Sequence, residues 1–129
     1  MKEGDKMESR VKDIEYKGRT IMFIDFEKCT PDQIFEVIRE GKKFIAKKPR
    51  ESVLTLTHCS GLYYTHENLQ VFKEWVLFNH PYVVAAAIYG LSGILRIGYK
   101  FVIQFTKRVI PEFPNQEAAL EWLITQTHE

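Results

Sequence analysis

The chain of 129 residues has the length of a single domain that is large enough to bury its own hydrophobic core. Apolar residues make up 45% of it and charged residues 27%, which excludes a disordered or fibrous protein. Because 18 basic side chains stand against 17 acidic ones, the formal net charge is +1 and no overall field attracts nucleic acid. Nucleic acid is therefore not an expected partner.

Neither a targeting signal nor a membrane span is predicted. The first residues are charged rather than apolar, so they do not form a signal peptide. Cys29 and Cys59 lie far apart without a C-x-x-C motif, which is typical of packed thiols in a reducing cytoplasm. The most apolar stretch, residues 91–105, includes Arg96 and Lys100 and falls short of the about 20 residues of a spanning helix. We expect a cytoplasmic protein without a membrane span.

The start of the chain predicts a lead-in followed by a β-hairpin. Residues 1–10 alternate charges without an apolar period, so we expect them to be a flexible, solvated lead-in. Residues 11–129 form one domain, since no linker divides them. Strand-like runs at residues 11–16 and 20–26 flank a Lys-Gly pair at residues 17–18, which suits the turn of a tight hairpin.

The middle of the chain predicts two helices separated by a strand. Thr30 is a suitable N-cap and Pro31 occupies the first helical position, where its missing N–H costs nothing. The short β-rich run of residues 52–57 predicts a central strand. Thr65 is the expected N-cap of a second helix over residues 66–79, which ends before a His-Pro pair.

The remainder predicts a strand, a helix, a short strand and a closing helix. Residues 82–89 are almost uninterruptedly apolar, which indicates the most buried strand, covered by helices on both faces. A helix over residues 92–106, a strand over residues 108–110 and a helix over residues 115–125 complete the order ββαβαβαβα. The alternation predicts an α/β fold with a mixed, mostly parallel five-stranded sheet and four helices.

Four segments of this order resemble a known family: residues 21–26, 53–61, 90–93 and 117–123. Together they resemble the STAS domain, the SpoIIAA-like fold of anti-sigma-factor antagonists, and most of all the small stand-alone bacterial STAS-like proteins. The related CRAL-TRIO fold extends the same arrangement into a lipid carrier. The resemblance implies a STAS-like fold over about residues 11–126 and a regulatory role through protein contacts.

One segment departs from the STAS pattern. In partner-switching STAS proteins, an Asp-Ser-(Ser or Thr)-Gly segment opens the helix after the third strand, and phosphorylation of its second hydroxyl breaks binding of a kinase. The matching segment here is Thr65-His66-Glu67-Asn68, with Glu67, or His66 after a one-residue slip, at the acceptor position. The resemblance implies a permanent negative charge in place of a switch. A glutamate in a first helical turn is equally explained by the helix dipole.

Side chains that bear chemistry follow the predicted parallel strands, at the ends where such sheets bind ligands. They are Cys29 after the second strand, His58, Cys59 and Ser60 after the third, Thr65 and His66 at the next helix, and Gly90 and Ser92 after the fourth. The sequence leaves open whether they converge in space.

Neither a metal site nor a catalytic site is predicted among these side chains. The cysteines and histidines lack the near-neighbour spacing of zinc motifs, so no metal is expected. A Cys59–His66 or Ser92–His58 nucleophile pair has no evident acidic partner, and no G-x-S-x-G motif is present. We therefore expect no catalytic residue, no cofactor and no enzyme activity.

The turn of residues 90–93, Gly-Leu-Ser-Gly, has two explanations. Its backbone N–H groups are able to hold a phosphate or carboxylate at the start of the following helix. It matches neither a Walker loop nor a dinucleotide fingerprint, and a strand-to-helix turn needs small residues for steric reasons alone. Gly90 and Ser92 stay candidate binding residues.

The helix predicted over residues 92–106 is unusually apolar. Its narrow polar stripe consists of Arg96, Lys100, Gln104 and Lys107 or Arg108. The other side chains occupy too wide an arc to face a single sheet, so we expect exposed apolar surface on this helix, with Ile97, Phe101 or Phe105 on the outer side. A neighbouring helix, a second subunit or protein partner, an apolar ligand and a membrane surface are the alternative covers.

These observations predict a non-enzymatic STAS-like regulatory or protein-interaction module that binds a protein partner or a second copy of itself. The predicted contact residues are Ser60, Thr65, His66, Glu67, Gly90, Ser92, Arg96, Ile97, Lys100 and Phe101. The alternative, implied by the CRAL-TRIO resemblance, is a carrier or sensor of a small apolar or lipid-like ligand held under the third helix.

Overall fold

Within residues 9–126, five strands form one mixed sheet in which the spatial order follows the chain order. The computed structural model describes residues 9–126, so most of the predicted lead-in and residues 127–129 lie outside the described residues. The strands are β1 (Val11–Tyr16), β2 (Arg19–Asp25), β3 (Val53–His58), β4 (Val83–Tyr89) and β5 (Glu112–Phe113). β1 and β2 are antiparallel, and the other neighbours are parallel.

Within the described part of the chain, four α-helices connect or follow these strands. They are α1 (Pro31–Ile45), α2 (His66–Asn79), α3 (Gly93–Thr106) and α4 (Gln116–Leu123), and a 3-10 turn at His80–Tyr82 follows α2. The predicted order ββαβαβαβα and the α/β class are confirmed. Among the helices of residues 9–126, none has the length and apolar character needed to cross a membrane.

Local sequence chemistry explains the hairpin. Lys17 and Gly18 have φ angles of 49° and 82°, so both central residues of the turn are left-handed. Two left-handed residues match the right-handed twist of the paired strands, and glycine adopts such a φ without strain. The predicted hairpin is confirmed, with Tyr16 opposite Arg19.

Reciprocal caps set the starts of α1 and α2. The Thr30 hydroxyl accepts a bond from the backbone N–H of Gln33, whose side-chain oxygen accepts one from the Thr30 N–H. Thr65 and Asn68 form the same pair of bonds. Each capping box satisfies N–H groups that a helix start leaves free. Both predicted helix starts are confirmed.

Helices cover the two faces of the sheet unequally. The first face packs Met22, Ile24 and Val53 with Ile34 of α1, Trp75 of α2 and Val102 of α3. The second face packs Ile21, Leu54, Leu56 and Ala87 with Ala119, Leu120 and Leu123 of α4. Because successive side chains of a strand point to opposite faces, the sheet separates the core into these two clusters. The larger core lies under α1, α2 and α3.

The last strand lies later in the chain than predicted. Residues 108–110, the predicted strand, do not pair with the sheet; the Ile110 carbonyl accepts the Tyr99 hydroxyl at 2.5 Å. Pairing begins where the Pro111 carbonyl accepts the Ile88 N–H at 3.1 Å and continues through β5. The β-branched pair at residues 109–110 resembles a strand, but this segment is bound to helices: Arg108 donates to the Val76 carbonyl of α2 at 3.2 Å, and Ile110 accepts from Tyr99 of α3.

The prediction that residues 82–89 form the most buried strand is wrong. Four of the six residues of β3 are buried, whereas the first three residues of β4 are only half-buried. β3 has a longer neighbour on each side, but β4 is flanked on its outer side by the two residues of β5. An apolar run therefore indicates burial without revealing how far the neighbouring strands extend.

Candidate functional site

Parallel pairing brings three polar side chains into one row at the carboxyl end of the sheet. Asp25 is in register with His58, and His58 is in register with Tyr89. The His58 Nδ1 atom lies 3.2 Å from Asp25 Oδ1, and the imidazole stacks on the Tyr89 ring with centroids 4.5 Å apart. Burial is the main cause that raises the pKa of Tyr89 to about 12, so its hydroxyl stays neutral.

Glu27 extends this row into a group that we call the edge cluster: Asp25, Glu27 and His58. One ligand atom from each of the three lies within 4.8 Å of the other two. The backbone N–H of Glu27 donates to Asp25 Oδ1 at 2.9 Å, which fixes that carboxylate. Arg10 donates to the backbone carbonyls of Asp25 and Glu27 at 3.2 and 2.9 Å, and so holds the turn between them.

Sequence reasoning missed both carboxylates of the edge cluster. It considered cysteine, histidine and hydroxyl residues after each strand and found no acidic partner for His58. The available signal was that Asp25 ends the strand next to the one that His58 ends, since the last residues of adjacent parallel strands meet at one edge.

Ser60 and Gly90 lie beside the edge cluster. Gly90 has a φ of 90°, and a Cβ atom there would lie 2.5 Å from the Ser60 Oγ and 3.2 Å from His58 Cδ2. Only glycine fits this approach without displacing backbone or side chain. Of the residues predicted to follow the strands, His58, Ser60 and Gly90 therefore converge.

Both cysteines are buried free thiols. Burial raises the pKa of Cys59 to about 12 and also raises the pKa of Cys29. Because the thiolate is the nucleophile and the metal ligand, both thiols are held in their unreactive form. His66 is exposed in the first turn of α2, and no described contact joins it to Cys59.

The other predicted contact residues lie at the starts of α2 and α3. Thr65 caps α2, and His66 and Glu67 are exposed in its first turn. Ser92 is the N-cap of α3, where its side chain makes no capping bond. Tyr64 joins the two helix starts, because its hydroxyl donates to the carbonyl of Ile94 at 2.7 Å.

An apolar cavity of about 100 Å³ lies between the sheet and the helices α2 and α3. Its walls include Ile24 and Ala86 of the sheet, Trp75 of α2, and Gly98 and Val102 of α3. The small side chain of Ala86 leaves space that a larger one would fill. The cavity lies under the third helix, which is the position that the ligand-carrier alternative predicts for its ligand.

Three polar side chains interrupt the apolar lining: Thr55, Thr57 and Asn79. Thr55 and Asn79 are buried. Within residues 9–126, no hydrogen bond joins any of the three side chains to another group. Buried polar groups without partners cost about 1–3 kcal/mol each, so Thr55 and Asn79 lower the stability of the fold unless a group in the cavity pairs with them.

The side of α3 that faces away from the sheet is apolar and exposed. Ile94, Ile97, Phe101 and Phe105, which we call the outer face of α3, have exposed fractions of 70, 67, 41 and 57%. Leu95, Gly98 and Val102 on the opposite side are buried. The predicted exposure of apolar surface on this helix is confirmed, and Ile97, Phe101 and Phe105 all lie on the exposed side.

The predicted basic stripe of α3 is interrupted. Arg96 forms an ion pair with Glu112 of β5 and donates to the Leu91 carbonyl at 3.2 Å, so its charge is already paired within the chain. Lys100 is exposed. A further cation comes from α2, where the buried Lys73 places its Nζ 3.8 Å from the centroid of the Phe105 ring.

Comparison with protein-family models gives no match, and comparison with curated proteins gives none either. Among solved structures, the chain is similar to an uncharacterized protein of the DUF3478 family with a SpoIIAA-like fold from Shewanella loihica PV-4. The two share 14% sequence identity at a TM-score of 0.67, and the match covers 88% of this chain and 91% of that one. The chain therefore has a SpoIIAA-like fold, as the STAS resemblance implied.

Proposed function

We propose that this chain is a non-enzymatic, cytoplasmic interaction module that acts through the outer face of α3, with a second copy of itself as the first partner. The observation that carries the proposal is the exposure of four large apolar side chains along one helix. Contiguous exposed apolar surface is characteristic of interaction sites, and aromatic side chains are enriched in them.

The charges around α3 support a protein contact. The helix has no acidic residue, and Lys100 stands exposed beside Phe101. The Lys73 ammonium lies among the aromatic rings of Phe101 and Phe105 and has no ion pair within residues 9–126. A partner that brings a carboxylate to the rim of the outer face therefore gains a cation that is already positioned.

A role in binding rather than catalysis is supported by the state of the nucleophiles. Cys29 and Cys59 are buried thiols with raised pKa values. Ser60 lies beside His58 but makes no hydrogen bond to it within the described residues, so no activated hydroxyl is assembled. The free thiols also suit a reducing cytoplasm.

The experiment is size-exclusion chromatography with light scattering on the wild type and on Ile94→Glu and Ile97→Glu. Both side chains are exposed, so a glutamate there meets solvent in the monomer and costs within about 0.5 kcal/mol of stability. We expect the wild type to self-associate and both variants to be monomers with unchanged thermal melting.

Leu77→Glu is the matched control. Leu77 is half exposed on α2 and does not belong to the outer face of α3. We expect this variant to associate like the wild type. A wild type that stays monomeric at high concentration, or association that Leu77→Glu disrupts as strongly as Ile97→Glu, contradicts the proposal.

A second candidate function, a carrier of a small apolar ligand, is favoured by the cavity under α3. Native mass spectrometry tests it, since a bound ligand appears as an additional small mass that denaturation removes. Ala86→Val and Ala86→Leu enlarge a side chain of the cavity wall. A carrier loses its ligand in these variants and keeps its oligomeric state, whereas Ile97→Glu has the opposite effect.

A further inference from the structure

The edge cluster has the composition of a metal site. Asp25 supplies a carboxylate from the end of β2, His58 an imidazole from the end of β3, and Glu27 a carboxylate from the turn after β2. We propose that these three side chains bind one divalent transition-metal ion, with Zn²⁺ as the preferred ion. This inference is independent of the outer face of α3 and of the cavity.

The distances suit a shared ion after small side-chain rotations. Ligand atoms on a tetrahedral zinc ion lie roughly 3.3 Å apart, which follows from bonds of about 2.0–2.1 Å. Asp25 Oδ1 and His58 Nδ1 are already 3.2 Å apart. The carboxylate of Glu27 lies within 4.8 Å of both, so it has to approach by about 1.5 Å to complete the set, a distance within the reach of a side-chain rotation.

The ligand atoms are held and available. The Tyr89 ring stacks on the imidazole of His58, and the N–H of Glu27 fixes the Asp25 carboxylate. The Glu27 carboxylate itself makes no hydrogen bond or ion pair within residues 9–126, so no existing interaction is lost when it turns to an ion. Contacts such as the Tyr89 stack and the Glu27 N–H bond orient the ligands of metal sites.

The two carboxylates share a surface pocket with three cations: Arg10, Lys12 and Lys28. The Arg10 guanidinium is already directed at the backbone carbonyls of Asp25 and Glu27, and the side chains of Lys12 and Lys28 are exposed to solvent, which screens their charge. An imidazole nitrogen favours zinc over magnesium, which prefers an all-oxygen, octahedral shell. Three protein ligands also leave one coordination position open to water or to a small anion.

The ion has a structural consequence in this fold. It joins the ends of β2 and β3 beside Ser60 and Gly90, at the edge where ligands of parallel sheets bind. A ligand that binds only the folded chain raises the melting temperature by mass action. Zinc binding is therefore visible both as heat and as a thermal shift.

The test is isothermal titration of chelator-treated protein with ZnCl₂, together with thermal melting at the same zinc concentrations. We expect one zinc ion per chain at the edge cluster and a zinc-dependent rise of the melting temperature. Glu27→Gln, Asp25→Asn and His58→Gln each weaken zinc binding by at least about tenfold, since changes even in outer contacts of metal sites typically cost 10–100-fold. MgCl₂ at the same concentrations gives no shift.

His66→Gln and Glu67→Gln are the matched controls, because they remove an imidazole and a carboxylate that are exposed at the start of α2. Both bind zinc like the wild type. Glu27→Gln keeps the test decisive if the other variants fold poorly, since the replaced carboxylate has no hydrogen bond or ion pair to any other of residues 9–126. Absence of binding to the wild type, or equal affinity of wild type and Glu27→Gln, overturns the assignment.

Discussion

The hydroxyl of Tyr64 donates a 2.7 Å hydrogen bond to the carbonyl of Ile94, and this bond ties the loop before α2 to the first turn of α3. The bond depends on a glycine one turn further along, because a Cβ atom at Gly98 would lie 2.8 Å from the Tyr64 ring. Tyr64 and Gly98 therefore form one structural unit that sets how α3 lies over the cavity.

This unit predicts that the effect of Gly98→Ala changes sign with the residue at position 64. In a helix interior, replacement of glycine by alanine raises the free energy of unfolding by about 0.5–1 kcal/mol. In the wild type, the new methyl group displaces the Tyr64 ring and disturbs its hydrogen bond to Ile94, which costs more than that gain, so the free energy of unfolding falls. In a Tyr64→Ala background, Gly98→Ala raises the free energy of unfolding. Urea unfolding of the four proteins measures the coupling; equal effects in both backgrounds contradict it.

Thr55→Val tests the unpartnered hydroxyl in the cavity wall. Valine keeps the shape of threonine and removes a buried group without a hydrogen bond, so we expect the free energy of unfolding to rise by about 1 kcal/mol. The matched control is Thr106→Val, because the buried Thr106 hydroxyl donates to the Val102 carbonyl at 2.8 Å. That substitution lowers stability. A loss of stability in Thr55→Val indicates that its hydroxyl is satisfied.

The thiols are expected to resist alkylation in the folded protein. Burial raises the pKa of Cys59 to about 12, so very little thiolate exists at pH 8, and Cys29 is equally inaccessible. Labelling with a thiol reagent at pH 8 is slow for the native chain and reaches two thiols per chain after denaturation. Rapid labelling of native protein contradicts this prediction and identifies an accessible thiolate.

The pair of Arg96 and Glu112 predicts a contribution to acid stability. The hydrogen bond from Arg96 is the main cause that lowers the pKa of Glu112 below its ordinary 4.5. A carboxyl group with a lowered pKa stabilises the fold above pH 4.5, and this contribution is lost as the pH falls through the folded-state pKa.

Glu112→Gln therefore makes the loss of stability below pH 4.5 less steep and leaves a small deficit at neutral pH. Thermal melting between pH 3 and pH 7 measures both effects. Arg96→Gln has the same consequence, and the double variant adds little to either single one because the two side chains share one interaction. Additive effects of the two substitutions show that they act separately.

Glu67→Ser tests the fixed charge implied by the STAS resemblance. Glu67 is exposed in the first turn of α2, where a negative charge is worth about 0.3–1 kcal/mol through the helix dipole. We expect Glu67→Ser to change the self-association constant at nearly unchanged stability. Glu67→Gln separates charge from shape. If light scattering gives the same self-association constant for the wild type, Glu67→Ser and Glu67→Gln, Glu67 contributes only to the stability of the helix.

Sequence reasoning succeeded where the relevant chemistry is local. The caps at Thr30 and Thr65 and the left-handed turn at Lys17 and Gly18 involve neighbours within three residues, so the sequence alone is sufficient to predict them. The apolar arc of α3 was predicted for the same reason, since its period belongs to one helix. Exposure of the outer face followed from counting polar positions.

Relationships between distant segments were not predicted. Asp25 and His58 meet only because β2 and β3 pair in one register, and no local pattern contains that register. The pairing of Arg96 with Glu112 depended on β5, which the sequence placed too early. The cavity under α3 likewise lies between residues of separate elements, Ala86 of β4, Trp75 of α2 and Val102 of α3 among them.

The shortness of β5 has a consequence for aggregation. β5 pairs only with Ile88 and Tyr89, so along residues 83–87 the outer edge of β4 has no strand partner within the described part of the chain. These five residues are Val-Val-Ala-Ala-Ala, an uncharged run in which Val83, Val84 and Ala85 are half-buried and Ala86 and Ala87 are buried, so its first three residues are the accessible part of the edge. Such an edge is a template for the addition of foreign strands. Displacement of residues 107–113 also frees the main chain of Ile88 and Tyr89. The two paired residues of β5 therefore shorten the edge at which a foreign strand is able to add.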